Sequence, residues 1–253
     1  MTATCHRWEP ARYLDVLAAE CARFAGLTRG ADPALPVPTC PGWTVETLVD
    51  HVGSVHRWAT EHVRTLAQER IPGNQIDTGE PPDFVGRADW IESWIEPMTA
   101  VFRGADPDAP VWGWGSDKHA RFWPRRMLHE TAIHRADLAF AVGGDATIDD
   151  EVSIDGVDEF LDNLPHARRF APNVEKLRGG GEALRFVAPD ARVAWTVTLG
   201  PDAFTWGHAD PGADASLELP ASQMALLFYG RITPDVVHGD EALYARWREH
   251  SSI

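Results

Sequence analysis

A chain of 253 residues with a formal net charge of -15 and an ordinary globular composition has room for two modest domains or one large one. The acidity argues against nucleic acid as a partner, because phosphate binding draws on concentrated Lys and Arg, and any anionic substrate must be met by local arginines. No apolar run is long enough to span a membrane, and the start Met1–Pro10 lacks the basic end and apolar core of a signal peptide, so the expected compartment is the cytoplasm.

Helical periodicity predicts a first helix over about Ala11 to Thr28, with Leu14, Leu17, Ala18, Cys21, Phe24 and Ala25 at helical spacing and Gly30 as the stop. A second opens after Cys40-Pro41-Gly42-Trp43, with Thr44 as N-cap and Glu46 near the positive end of the helix dipole, and runs to about Ala67. A polar loop around Ile71 to Phe84 leads to a third helix over about Arg87 to Phe102, its buried side formed by Trp90, Ile91, Trp94, Ile95 and Met98. The fourth spans Phe122 to Val142 and stops at Gly143-Gly144.

Beyond Asp145 the pattern changes to shorter mixed elements. Arg192 to Leu199 alternates and should pair with Ala203 to Trp206 across the turn Gly200-Pro201-Asp202. Ala215 to Leu219 reads as another strand, and Ser222–Tyr229 and Glu241–Trp247 as helices. The expected fold is α+β, a helical bundle over 1–145 followed by a smaller α+β domain over 146–253. Cys5, Cys21 and Cys40 are an odd set without CxxC spacing, and read as reduced thiols.

The chemistry concentrates in the fourth helix. In His129-Glu130-Thr131-Ala132-Ile133-His134-Arg135-Ala136-Asp137, Glu130 and His134 lie four apart, about 40° around the axis and roughly 6 Å along it, close enough to share one ion. They fall on the row of Trp123, Met127, Leu138 and Ala141, where an uncompensated carboxylate would cost several kcal/mol. In the second helix His51 shares the stripe of Leu48, Val55 and Trp58 and also points into apolar surroundings. His51, Glu130 and His134 can therefore form a metal centre, although Glu130 and His134 can equally be an ordinary helix pair, or Glu130 can pair with Arg126 one turn earlier. The histidines at 129 and 134 are five apart, which excludes the His-Glu-x-x-His protease pattern. His56 falls about 140° off the His51 face and His62 about three turns away, so neither is a first choice as ligand. Asp137 can accept from the free ring nitrogen of His134 or serve as a salt-bridge partner on an Arg-rich face. Trp112-Gly113-Trp114-Gly115 reads as packing before it reads as a lid.

Cys40-Pro41-Gly42-Trp43-Thr44-Val45, Leu48 to Trp58, Arg125 to Asp137 and Val237-His238-Gly239-Asp240-Glu241-Ala242-Leu243 resemble, in the right order, the mycothiol-dependent maleylpyruvate isomerase family. The resemblance implies a DinB-like four-helix bundle with a small C-terminal α+β domain, and a divalent metal, zinc as first choice, held by His51, Glu130 and His134. It implies mycothiol as thiol cofactor or cosubstrate, used for maleylpyruvate-type cis–trans isomerisation or for S-transfer to a small, anionic electrophile. The alternative from another class is a non-catalytic protein that binds metal or thiol conjugates. A catalytic arginine of the family's second domain has its nearest counterpart by context in Arg231. The implied partner is a small molecule, with neither nucleic acid nor membrane, and the implied state is a monomer or weak homo-oligomer.

Overall fold

The computed structural model describes residues 8–252, so Cys5 and the first seven residues lie outside the description. Helices dominate the N-terminal part: α1 (Pro10–Thr28), α2 (Val45–Arg64), α3 (Arg87–Glu92), α4 (Ile95–Gly104) and α5 (Phe122–Val142). They form one compact unit, Trp8–Ala146, and a second begins at Thr147.

The expected starts hold for local reasons. Thr44 caps α2, its hydroxyl accepting from the Thr47 amide at 3.3 Å. Gly143 takes the left-handed conformation that ends α5, φ 71°. Two expectations need correction. Helix α2 ends at Arg64, three residues earlier than expected, where Leu66 turns left-handed and the Ala67 amide reaches back to the His62 carbonyl. The single helix expected over 87–102 is broken at Ser93-Trp94, because Pro97 lacks an amide hydrogen and its ring clashes with the carbonyl four residues earlier. Helices α1 and α2 each pack on α3, on α4 and on α5.

That leaves α5 central. It is buried along almost its whole length, polar residues included, whereas the sequence suggested one core-facing row. Its polar groups are consequently neutralised inside. Arg135 donates from Nε to the fully buried Glu20 of α1 at 2.6 Å, and Arg23 reaches the other Glu20 oxygen at 2.9 Å. Arg57 of α2 is stacked between Trp90 and Trp94, 4.1 and 4.6 Å from the ring centroids, and donates to the Gly53 and Trp90 carbonyls. Gly53 has no side chain because the Trp90 ring occupies that space.

The C-terminal unit holds α6 (Asp150–Asn163), β1 (Ala183–Ala188), β2 (Val193–Leu199), β3 (Phe204–Gly207), β4 (Ala215–Glu218), α7 (Ala221–Phe228), β5 (His238–Gly239) and α8 (Glu241–Ser251). The strands form one sheet in the order β3-β2-β1-β4-β5, antiparallel except for the parallel pair β1–β4. The expected hairpin is present as β2–β3, with Leu199 opposite Phe204. Helix α6 and strand β1 were not expected. Helix α6 buries Asp155, Asp158 and Glu159 beside Val157, Phe160 and Leu161, which hides its apolar period. Helix α7 packs on α6 and β1, α8 packs on β4, and Phe160, Phe186, Phe228 and Trp247 fill the space between.

Candidate metal centre

Helices α2 and α5 bring together the three residues singled out in sequence. His51 donates from Nε2 to Glu130 Oε1 at 2.9 Å, and His134 Nε2 lies 3.4 Å from the same oxygen. All three donor atoms lie within 4.8 Å of one another. Arg126, one turn before Glu130 on α5, donates from Nη2 to Oε2 at 3.3 Å, so ion pair and cluster coexist. Exposure is graded: the side chains of His51, Glu130 and His134 retain 35%, 21% and 11%, which opens the cluster on the His51 side.

The electrostatics follow from this crowding. Burial disfavours the Glu130 charge, yet hydrogen bonds from His134 and His51 outweigh it and hold the carboxyl well below its usual range. Burial likewise opposes a charged His134, but its bonds to Asp137, Cys40 and Glu130 raise it well above an ordinary histidine. Two imidazoles and a carboxylate are the donor set of many catalytic zinc sites, and the spacing suits one ion bound at about 2 Å from each donor. The residues therefore fit a divalent metal, which would take the place of the protons that both Nε2 atoms direct at Glu130.

A turn closes the cluster from one side. Between α1 and α2, Cys40 N donates to Val37 O and Trp43 N to Cys40 O, with Gly42 left-handed at φ 86°. The Trp43 ring lies 4.9 Å from the His51 ring and is stacked on His134 at 6.0 Å and 23°. Asp137, fully buried on α5, accepts from Thr39 Oγ1 at 2.6 Å, from Cys40 Sγ at 3.3 Å and from His134 Nδ1 at 2.9 Å.

The other histidines of α2 stay outside the cluster, as expected, although both are more deeply buried than His51. His62 donates from Nδ1 to the Trp58 carbonyl and accepts at Nε2 from the Ile71 amide. It packs among Trp58, Trp112 and Trp123, so the Trp112 end of the Gly-Trp loop is packing, while Trp114 lies under the Arg126 guanidinium at 5.8 Å. Cys21 is a buried thiol that burial pushes up to about 12, hence unreactive.

His56 donates from Nε2 to Thr131 Oγ1 at 2.8 Å, since that hydroxyl donates onward to Met127 O. Burial pushes His56 down from 6.5 to about 3. The unfolded chain thus takes up a proton that the folded protein refuses, so stability is full above pH 6.5 and falls as pH drops toward 3. The loss approaches roughly 5 kcal/mol at the acid end. A His56→Gln variant, which can still donate to Thr131, should lose less stability than wild type between pH 6.5 and 4 in urea titrations. Parallel losses in the two proteins would show that His56 does not drive the acid limb.

Arg231 follows α7 in the C-terminal unit, half-buried, its Nη1 donating to the Tyr229 carbonyl at 2.7 Å and its amide to the Leu226 carbonyl. No described helix is long and apolar enough to cross a membrane.

The fold and this cluster define a two-domain α+β protein whose helical bundle carries a carboxylate between two imidazoles. The chain belongs to the mycothiol-dependent maleylpyruvate isomerase family, an enzyme family: residues 14–139 match the model of the mycothiol maleylpyruvate isomerase N-terminal domain, and residues 151–246 that of the family's C-terminal domain. Two solved structures share the fold. A mycothiol-dependent maleylpyruvate isomerase is 14% identical over 92% of this chain and 93% of its own, with a TM-score of 0.53. A His-to-Ala variant of such an isomerase is 15% identical over 90% and 91%, with a TM-score of 0.55. Among curated proteins, no sequence matches the chain.

Proposed function

We propose that this protein is a metal- and mycothiol-dependent enzyme acting on a small electrophile, by cis–trans isomerisation of a maleylpyruvate-type substrate or by transfer of the mycothiol sulfur. The observation that carries the reading is the convergence of His51, Glu130 and His134 on one point, open on the His51 side, in a member of this family. A bound divalent ion supplies Lewis acidity and favours a thiolate over a thiol at neutral pH. The protein's own residues do the rest. Asp137 and Trp43 fix the His134 ring, and Arg126 balances the Glu130 charge.

The test is to incubate zinc-loaded protein with mycothiol and a panel of electrophiles that includes maleylpyruvate, and to follow thiol-dependent product. Mycothiol binding without product across the panel would favour a conjugate-binding protein instead.

Arg231 is proposed to hold the substrate carboxylate, since a guanidinium grips a carboxylate through two parallel hydrogen bonds. Arg231→Ala should then lower turnover on the order of 100- to 1000-fold, with metal content and melting temperature unchanged. Wild-type kinetics in that variant would remove Arg231 from the site.

A further inference from the structure

We infer that Asp137 is a positioning residue of the centre: through the His134 ring it aims Nε2 at the point shared with Glu130 and His51, and the Thr39-Cys40 turn clamps it there. This inference rests on the metal reading above. Asp137 has no exposed surface, and a carboxylate in that position costs several kcal/mol unless donors surround it. Side-chain donors do so from two directions. Thr39 and Cys40 come from the turn before α2, 98 and 97 residues away, and His134 from one turn earlier on α5.

The division of labour between the two oxygens is informative. Oδ1 takes the short Thr39 bond, whereas Oδ2 is shared by the Cys40 thiol and His134 Nδ1. A carboxylate that served only to pin the turn would need no histidine. With Nδ1 committed to Asp137, the opposite ring nitrogen is the one left for Glu130 and His51, which settles both tautomer and ring direction. Trp43, carried by the same turn and stacked on the ring at 23°, blocks rotation out of that orientation. The turn and the centre are thus one mechanical unit joined at Asp137.

Equilibrium competition between the protein and a chromophoric chelator for Co2+, with the visible spectrum of the bound ion as second readout, tests this. Asp137→Ala should weaken Co2+ binding by roughly 10- to 100-fold and shift its absorption bands, because the ring is released. Asp137→Asn keeps an oxygen for Nδ1 and should restore the wild-type bands with a loss below about tenfold. If Asp137→Ala does not fold, Asp137→Asn and Thr39→Val carry the test, each expected to weaken Co2+ by about threefold or more. Unchanged affinity and bands in the variants that fold would reduce Asp137 to a prop for the turn. Cys40, His134 and Asp137 also bring donor atoms within 4.8 Å of one another. Two ions per wild-type chain, falling to one in Cys40→Ser, would therefore make Asp137 a ligand and overturn the inference. A wild-type protein that binds no Co2+ would sink the metal reading and this inference together, whereas wild-type binding with indifferent Asp137 variants sinks the inference alone.

Discussion

Replacing Glu130 by glutamine or His134 by alanine is expected to leave the purified protein without a bound divalent ion, where wild type carries about one per chain. The glutamine keeps the shape of Glu130 but removes the only anionic donor among the three, and it leaves Arg126 Nη2 facing an amide. The alanine removes the ring that Asp137 and Trp43 hold in place. Stability should report the same event. With free ion at 100 times the dissociation constant, binding adds about 2.7 kcal/mol, so a chelator should lower the melting temperature of wild type and leave both variants unmoved.

The pH dependence has a definite sign. Against burial, bonds to Asp137, Cys40 and Glu130 raise His134 well above the ordinary histidine range, so at neutral pH a metal that binds its Nε2 must displace a proton. Apparent affinity should therefore climb as pH rises toward that value and fall by about tenfold per unit below it. Two results would remove His51, Glu130 and His134 as ligands: retention of the ion by both variants, or a wild-type melting temperature indifferent to chelator. The cluster would then be the metal-free arrangement in which Glu130 pairs with Arg126 and the two histidines.

The clustering of His51, Glu130 and His134, the proposed ligands, was legible because it depends on short-range geometry. A spacing of four places Glu130 and His134 on one face of any helix, and His51 shares the stripe of Leu48, Val55 and Trp58. The role of Asp137 was only half legible. Its spacing to His134 is local, but the donors that close the arrangement, Thr39 and Cys40, lie nearly a hundred residues away, and the choice between acceptor and salt-bridge partner needed them.

The fold shows the same division. The hairpin β2–β3 is local and was read from alternation and a turn, while β1 sits between β2 and a parallel partner, β4, that arrives some thirty residues later. Helix α6 escaped because Asp155, Asp158 and Glu159 stand where apolar residues would have marked a buried face. The break before α4 is encoded by Pro97, but the tryptophans and isoleucines before it share one helical period across both pieces, and periodicity alone predicts an uninterrupted helix.

Glu20→Ala is expected to destabilise the protein by about 3–5 kcal/mol, a large share of the roughly 5–15 kcal/mol that holds a typical domain folded. The residue was not singled out in sequence, since a glutamate on an amphipathic helix normally faces water. Here it is fully buried on α1, and Arg135 of α5, itself buried, donates to it from Nε at 2.6 Å. Removing the carboxylate takes the Glu20 charge away from that guanidinium, whose Nη1 also donates to the Asp145 carbonyl at 3.3 Å, and this loss of a buried counter-charge, rather than the worth of one hydrogen bond, sets the magnitude. Arg23, whose side chain is half exposed, completes the geometry but not the energetics, and Arg23→Ala should cost less than about 1 kcal/mol. Replacing both buried partners, as in Glu20→Leu with Arg135→Met, should recover most of the loss, because neither member of this pair is then left as an uncompensated charge. Urea denaturation of the four proteins decides the matter. A Glu20→Ala protein within 1 kcal/mol of wild type, or a double variant no better than the single one, would show that the α1–α5 contact is held by its apolar residues, Leu17 and Phe24 among them, and that the ion pair is incidental to it.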